Sequence, residues 1–498
     1  MGAGKALLEL VRGCTFDDVL LAPQESVLES RDPARIDLSA RLSRRLLLKR
    51  PIVSANMDTV TRAAMAIVLA EEGGIGVVDR GFRPGEIDAQ VREVQVVKRR
   101  QHGIIPDPFT IAPDASLEQA ITRMKRSGVG SLVVVDPAGR LRGMLTERDV
   151  RFVGGSGRVA DRMTPRERLV VSRPVGLDEA ERLMVEHKIK KLPLVDAGDR
   201  LVGLVTAKDI LEHRRQPFAT RDAQGRLRVG AAIGAKGDYL ERAAELIRAG
   251  VDVIVIDIAH GHSVVMAKAL DAFRARFGDD VELIAGNVGT AEGARFLAER
   301  GVDGIKVGIG PGGGCTTRVT TSFGVPQLQA LVECRLAVGD DLPLVADGGI
   351  HRDGAMALAL ACGGDTAMLG SAFAGTLEAP GDVVQKPVVL AEGRRTVQVP
   401  FKVLRGMASI GAIRDRLDVE DAEEVDLAAL GAEGLELSVP ARGSARPVIQ
   451  DMIRHLCSAI SYGGARSLAE LRARVWESPE RYVIRLAEGA RRESYERP

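Results

Sequence analysis

Aromatic side chains are scarce in this chain: one Trp, four Tyr and eleven Phe among 498 residues. The core must therefore be filled by aliphatic side chains, as in buried parallel β/α sheets. Cysteine is equally sparse. The five thiols (Cys14, Cys315, Cys334, Cys362 and Cys457) are dispersed, odd in number and without a Cys-x-x-Cys pair. That pattern excludes a disulfide framework and a clustered zinc site, and it fits a reducing compartment. No apolar run is long enough to span a bilayer and the first residues lack a signal-peptide pattern, so a cytoplasmic protein is expected. Charge of one sign is missing too. The 69 basic and 68 acidic residues leave a net +1, with no one-sided field for a nucleic-acid groove or a membrane surface.

What is present is length, aliphatic content and glycine. The chain exceeds one ordinary domain, although an α/β barrel absorbs about 250 residues. From Gly230 to Glu378, short apolar runs alternate with helical patterns. Strands are predicted over Val251–Asp257, Val281–Gly286, Gly304–Val307, Leu342–Ala346 and Thr366–Gly370. Helices are predicted over Tyr239–Ala249, Ala291–Arg300 and Asp353–Cys362. Repeated units of this kind mean a parallel sheet, closed or doubly wound. Asp257, Asn287, Cys315, Asp347 and Ser371 fall at the ends of these runs, where a β/α barrel carries its chemistry. Singly, such residues also serve as turns or N-caps.

Between about 104 and 217 the texture changes. Ser131–Asp149 matches Lys191–Asp209 without a gap, Leu132 falling on Leu192, and Leu117 and Ala120 match Leu177 and Ala180. Two copies of one unit imply a pseudo-twofold module. The repeat resembles a tandem pair of cystathionine-β-synthase (CBS) motifs, which implies that Asp149 and Asp209 hold the ribose hydroxyls of an adenine or guanine nucleotide effector. Their Thr-x-x-Asp context is equally a helix cap.

The stretch Lys306-Val-Gly-Ile-Gly-Pro-Gly-Gly-Gly-Cys315-Thr-Thr-Arg318 places one thiol at the end of a glycine-rich loop. Glycine lets backbone amides and carbonyls approach a ligand, and a thiolate held there is a nucleophile.

Taken with Thr15-Phe-Asp-Asp, Ser54-Ala-Asn-Met-Asp-Thr-Val60, Asp257-Ile-Ala-His-Gly-His262, Ala346-Asp-Gly-Gly-Ile350 and Arg405-Gly-Met407, the chain resembles the IMP dehydrogenase/GMP reductase family. The resemblance implies a (β/α)8 TIM barrel (1–103 and 218–498) interrupted by the CBS pair (104–217), with a flap at about 405–440 and a C-terminal tail. It implies that Cys315 attacks C2 of a purine nucleotide. Thr317 would support water activation or amine departure, with Arg416 as the nearest candidate base. Met57, Gly313, Asp347, Gly349, Gly370, Ser371, Met407, Ala408 and Glu433 would contact the substrate. Asp257, Asn287 and Gly308 would face NAD (NADPH in a reductase). Carbonyls of Gly310, Gly312 and Cys315 would hold potassium. A homotetramer is implied, with an octamer through the CBS pair as a further form.

Four departures from the family pattern bear on activity. The flap stretch Arg414–Glu424 has no Tyr and is acidic; Leu417 follows Arg416. Ile410 stands where vertebrate-type reductases place Glu. Gly313 and Gly314 precede the cysteine where Ser is usual, and Leu404 replaces a phosphate-binding Tyr. Two lost hydrogen bonds to an anion are worth roughly 1.5–3 kcal/mol each unless Arg405 or another cation compensates. Three readings follow: an IMP dehydrogenase, a GMP reductase, or a paralogue acting through Cys315 on another purine-like substrate or in regulatory binding. The pattern favours the first. The charged tail 488–498 is expected to be disordered or laid across a neighbouring subunit.

Overall fold

The computed structural model describes residues 2–100, 104–105, 108–151, 156–389, 396–416 and 431–495. The chain forms two compact units. One comprises Met1–Arg99, Phe218–Thr220 and Leu227–Pro498; the other comprises Arg100–Pro217 and Arg221–Arg226.

The larger unit is a closed barrel of eight parallel strands: β1 (Ile52–Ser54), β2 (Ile75–Val78), β3 (Gly230–Ile233), β4 (Val253–Asp257), β5 (Glu282–Val288), β6 (Gly304–Val307), β7 (Leu344–Asp347) and β8 (Thr366–Leu369). Closure runs through β8 beside β1, with Ala367 opposite Ile52, and β2 beside β3, with Val77 opposite Gly230. The strands are short Val/Ile/Leu/Ala runs because both faces are covered, the inner by facing strands and the outer by helices. Those helices are α1 (Ala63–Glu71), α2 (Ile87–Arg99), α3 (Tyr239–Arg248), α4 (Val264–Phe277), α5 (Ala291–Ala298), α6 (Gln327–Val338), α7 (Asp353–Cys362) and α8 (Ala445–Tyr462). The predicted strands and helices are all present, with ends displaced by a residue or two. Frayed ends carry the weakest sequence signal.

An antiparallel three-stranded sheet, Val384–Val389, Thr396–Arg405 and Glu436–Pro440, stands between β8 and α8. The two ends of the expected flap therefore belong to paired strands, and 417–430 lies outside the described residues. The described part of the tail is ordered. Glu488–Tyr495 is a helix, and Arg491 lies 3.5 Å from Asp18 of the same chain. Strand Val483–Arg485 pairs with Val19–Leu21 and sets the tail against this chain's own N-terminal segment.

In the smaller unit the repeat is visible in the register. Ser131 pairs with Thr146 and Lys191 with Thr206, and each hairpin shifts register one residue before its outer end. The Leu141 amide donates to the Asp199 carbonyl (2.9 Å) and the Leu201 amide to the Gly139 carbonyl (3.0 Å), a reciprocal pair that marks the pseudo-twofold. Val133, Leu141, Met144, Val195 and Leu204, drawn from both copies, form one shared apolar cluster. No helix of the described residues is long and apolar enough to cross a membrane.

At the end of the barrel opposite the strand C-termini, Asp365 precedes β8. It accepts from Arg335, from Arg472 (2.7 Å) and from the Leu344 amide (2.7 Å). Burial pushes its pKa up, but Arg472 and Arg335 overcome that and hold it below the ordinary carboxylate range. Arg335, pushed down by its own burial, still remains a cation. Asp365→Ala removes the carboxylate shared by two guanidinium groups, leaving Arg335 with the more distant, exposed Asp340 (3.7 Å), and is expected to cost about 3–5 kcal/mol, read from urea unfolding at pH 7. A depressed carboxylate contributes stability above its unfolded pKa of about 4 and loses it as pH falls through the folded value. The gap between wild type and variant should therefore close only below about pH 4.

Candidate active site

The strand C-termini open into a cavity of about 590 Å³. Its wall contains Met57 after β1, Arg80 after β2, Asp257 at the end of β4, Asn287 in β5 and Asp347 at the end of β7. The Gly308–Cys315 loop after β6 and Gly370 and Ser371 after β8 complete the rim. Thr317, Gly349, Met407, Ala408, Arg416 and Glu433 line the same space, so every barrel residue expected at the site is brought together there. Gly349 has φ +76°, and Gly370 lies where a Cβ would approach the Met57 sulfur at 3.2 Å.

The cysteine loop is shaped by crowding. Gly308, at φ +153°, leaves no room for a Cβ because the Asp347 carbonyl occupies that place. The Cys315 amide donates to the Gly312 carbonyl (3.0 Å), closing the turn. From the other side, residues 431–435 staple the loop. The Thr316 amide donates to the Glu433 carbonyl (2.9 Å) and the Leu435 amide to the Gly314 carbonyl (2.9 Å). That segment is held in turn by Gly406, whose amide donates to Leu435 (3.0 Å). A relay results: the Cys315 thiol donates to Thr317 Oγ1 (3.2 Å), and Thr317 Oγ1 donates to Glu433 Oε2 (2.6 Å). A thiol proton has a hydrogen-bonded path to a carboxylate without a histidine.

The floor is charged. Lys306 on β6 is only 3% exposed, and its Nζ contacts Asp347 Oδ2 (2.7 Å), Asn56 Oδ1 (3.1 Å) and Asp257 Oδ2 (3.5 Å). Asn56 also donates to Asp257, and Asn287 Nδ2 donates to Asp347 Oδ2 (2.9 Å) and to the Gly308 carbonyl (2.8 Å). Burial pushes Lys306 down, but Asp257 and Asp347 outweigh it and raise its pKa. Burial likewise pushes Asp257 up, but Lys306 and then Arg80 bring it below its ordinary value. Lys306, Asn56 and Arg80 were not anticipated. Their signal was a cation and an amide inside or just after runs otherwise made of buried aliphatic residues.

Arg416 donates to the Met407 carbonyl (2.8 Å), while its Nη1 is buried without a partner. Burial first, and then Arg80, push its pKa down to about 10. Arg405 is committed elsewhere: it binds Asp58 (2.7 Å) and Asp415 (2.8 Å), and those carboxylates outweigh its burial and raise its pKa. It therefore does not replace the lost phosphate donors. Leu404 is buried at the cavity edge, and the space at Gly313 is open, with nothing within 4 Å of a Cβ. Asp149 and Asp209 lie in the smaller unit and act as caps. Asp149 accepts from Thr146 Oγ1 (2.7 Å) and Asp209 from Thr206 Oγ1 (2.5 Å). No group of three His, Cys, Asp or Glu side chains arranged for a metal ion occurs among the described residues.

A family model described as IMP dehydrogenase / GMP reductase domain matches residues 13–496. The chain is 42% identical over 467 residues to the inosine-5'-monophosphate dehydrogenase of Aquifex aeolicus, covering 93% of this chain and 92% of that one. It is 42% identical over 471 residues to that of Mycobacterium leprae, covering 92% and 86%. A crystal structure of GMP reductase from Trypanosoma brucei in complex with guanosine 5'-monophosphate superposes with a TM-score of 0.84, at 36% identity and 97% coverage of both chains.

Burial separates the five thiols: it raises Cys14 and Cys334, pushes Cys362 up to about 12 and Cys457 to about 11, while Cys315 opens on the cavity. Iodoacetamide at pH 8 should label Cys315 alone in the native protein, and all five after denaturation, as read by peptide mass spectrometry.

Proposed function

The chain belongs to the IMP dehydrogenase/GMP reductase family, and from that premise we propose that it is an IMP dehydrogenase working through Cys315. It is a purine nucleotide oxidoreductase that uses NAD(P). The observation that carries the dehydrogenase reading is Arg416, held in the cavity wall with its pKa depressed to about 10. Hydrolysis of a thioimidate needs a base, and at pH 8 about one guanidine in a hundred is then neutral, far more than for an ordinary arginine.

In this reading the thiol proton passes through Thr317 to Glu433, and the sulfur adds to C2 of the hypoxanthine ring. Asp347 accepts the ribose hydroxyls, and the amides at Gly349, Gly370 and Ser371 face the phosphate. When bound, the dinucleotide accepts the hydride from C2. The cavity wall fits a nicotinamide: Asn287 Oδ1 is buried without a partner, an acceptor suited to a carboxamide N–H. Water then attacks C2 and gives a proton to Arg416, the C–S bond breaks to release the thiolate, and Glu433 returns its proton through Thr317 to restore the thiol. The Gly310 and Gly312 carbonyls are hard oxygen donors of the kind a potassium ion takes. We assign Asp149 and Asp209 of the CBS-like repeat to an effector nucleotide, and the assembly to a homotetramer.

A GMP reductase is the second reading, favoured by the superposition on the trypanosomal enzyme and by Leu417 in place of the flap Tyr. There the Glu433–Thr317 relay would deliver a proton to departing ammonia. Paired assays, IMP with NAD⁺ and GMP with NADPH, distinguish the two by nicotinamide absorbance. Sustained NADH formation with IMP is expected. Arg416→Ala should cut turnover about 100-fold or more while sparing the first-turnover burst, and wild-type turnover should climb with pH towards 10 as Arg416 loses its proton. NADPH oxidation with GMP, and none of this with IMP, would transfer the assignment to the reductase.

Gly313→Ser places a hydroxyl in open space beside the phosphate end. A restored bond to an anion is worth about 1.5 kcal/mol, so the nucleotide KM should fall about tenfold in steady-state kinetics.

A further inference from the structure

Two carboxylates of the cavity converge on one buried cation. Lys306 Nζ has three N–H donors, and three oxygens surround it: Asp347 Oδ2, Asn56 Oδ1 and Asp257 Oδ2. Met368 Sδ, at 3.7 Å, closes the remaining side. Among the described residues, every hydrogen bond to either carboxylate side chain ends on its Oδ2. Each Oδ1 is thereby left to meet a ligand in the cavity that both residues line.

We propose that Lys306 is the positioning residue of this site: it fixes Asp347 by its Oδ2 and leaves Oδ1 aimed at the nucleotide, while the same ammonium offsets the charge of Asp257 beside it. The proposal rests on the reading that Asp347 receives the ribose hydroxyls. Without the ammonium, the two half-buried carboxylates would lose the cation they share, and like charges gathered around one point tend to hold a proton between them. Asp257 is also faced by Arg80 from the loop after β2, and Asp347 by the Asn287 amide from β5. Arg416 interacts with Arg80 and also with Asp58, Arg405 and Asp79. A carboxylate that shares a proton with its neighbour accepts ribose hydroxyls poorly, so loss of Lys306 should appear as a pH-dependent nucleotide affinity.

The test is Lys306→Met in the full chain, with Lys306→Gln as a charge-free variant that retains a donor should the methionine protein not fold. With whichever nucleotide pair the wild type turns over, its nucleotide KM should vary less than about twofold between pH 6 and 8. In Lys306→Met it should rise about tenfold or more over the same interval as pH falls, following a single protonation. Adding Asp257→Asn removes the competing charge and should flatten that profile, a rescue that a packing role for the lysine stem would not give. Infrared spectra of the nucleotide-free proteins judge the electrostatics apart from the catalytic assignment. An additional protonated-carboxyl band at pH 7 is expected in the Lys306→Met minus wild-type difference spectrum, and none in that of Lys306→Met/Asp257→Asn. No such band in Lys306→Met would overturn the proposal whatever the reaction. The band with a flat KM profile would overturn the link to ribose binding while leaving the redox assignment to its own assays.

Discussion

One buried ammonium organises the chemical end of this barrel. Lys306 takes an interior position on β6, where its neighbours are aliphatic, and it survives there because β4, β7 and the segment just after β1 each supply an oxygen to it. A charge taken out of water costs several kcal/mol unless its partners are close and its hydrogen bonds complete. Completion here requires four strands in correct register. The cation thus ties barrel closure to the placement of Asp257 and Asp347, the two carboxylates that face the cavity. The same interaction carries the Asn287 amide, which spans from Asp347 to the Gly308 carbonyl and so reaches the root of the cysteine loop.

Above that floor the reactive groups are assembled from segments far apart in sequence. Cys315 and Thr317 come from the loop after β6, and Glu433 comes from the chain that returns after the three-stranded sheet. The two are joined by backbone pairing at Thr316–Glu433 and Gly314–Leu435, so the relay is set by main-chain geometry rather than by side-chain packing alone. Gly308 and Gly406 make this possible. A Cβ at the first would meet the Asp347 carbonyl, and at the second the Gly314 backbone.

The smaller unit follows a separate logic. Its two copies share one apolar cluster, and neither hairpin alone could bury Val133, Met144 or Leu204. The Thr-x-x-Asp motifs that suggested nucleotide contacts are occupied as helix caps. Capping uses one carboxylate oxygen, Oδ2, of each aspartate.

Sequence alone determined a good deal: the alternation of aliphatic strands and helices, the repeat in 104–217, the glycine loop with its thiol, and the family. These are local or periodic signals, and hydrophobic period and glycine placement are legible in one dimension. The membership of Asp257, Asn287, Asp347 and Ser371 in one rim followed from strand order. Tertiary structure decided the rest. Lys306 read as one more charged residue until four strands converged on it, and Arg405, a candidate for the phosphate, proved to be held by Asp58 and Asp415. The depressed pKa of Arg416 depends on burial and on Arg80, more than 300 residues away. Charges and hydrogen bonds act through space over a few ångströms, and only the closed barrel decides which distant residues come within that reach.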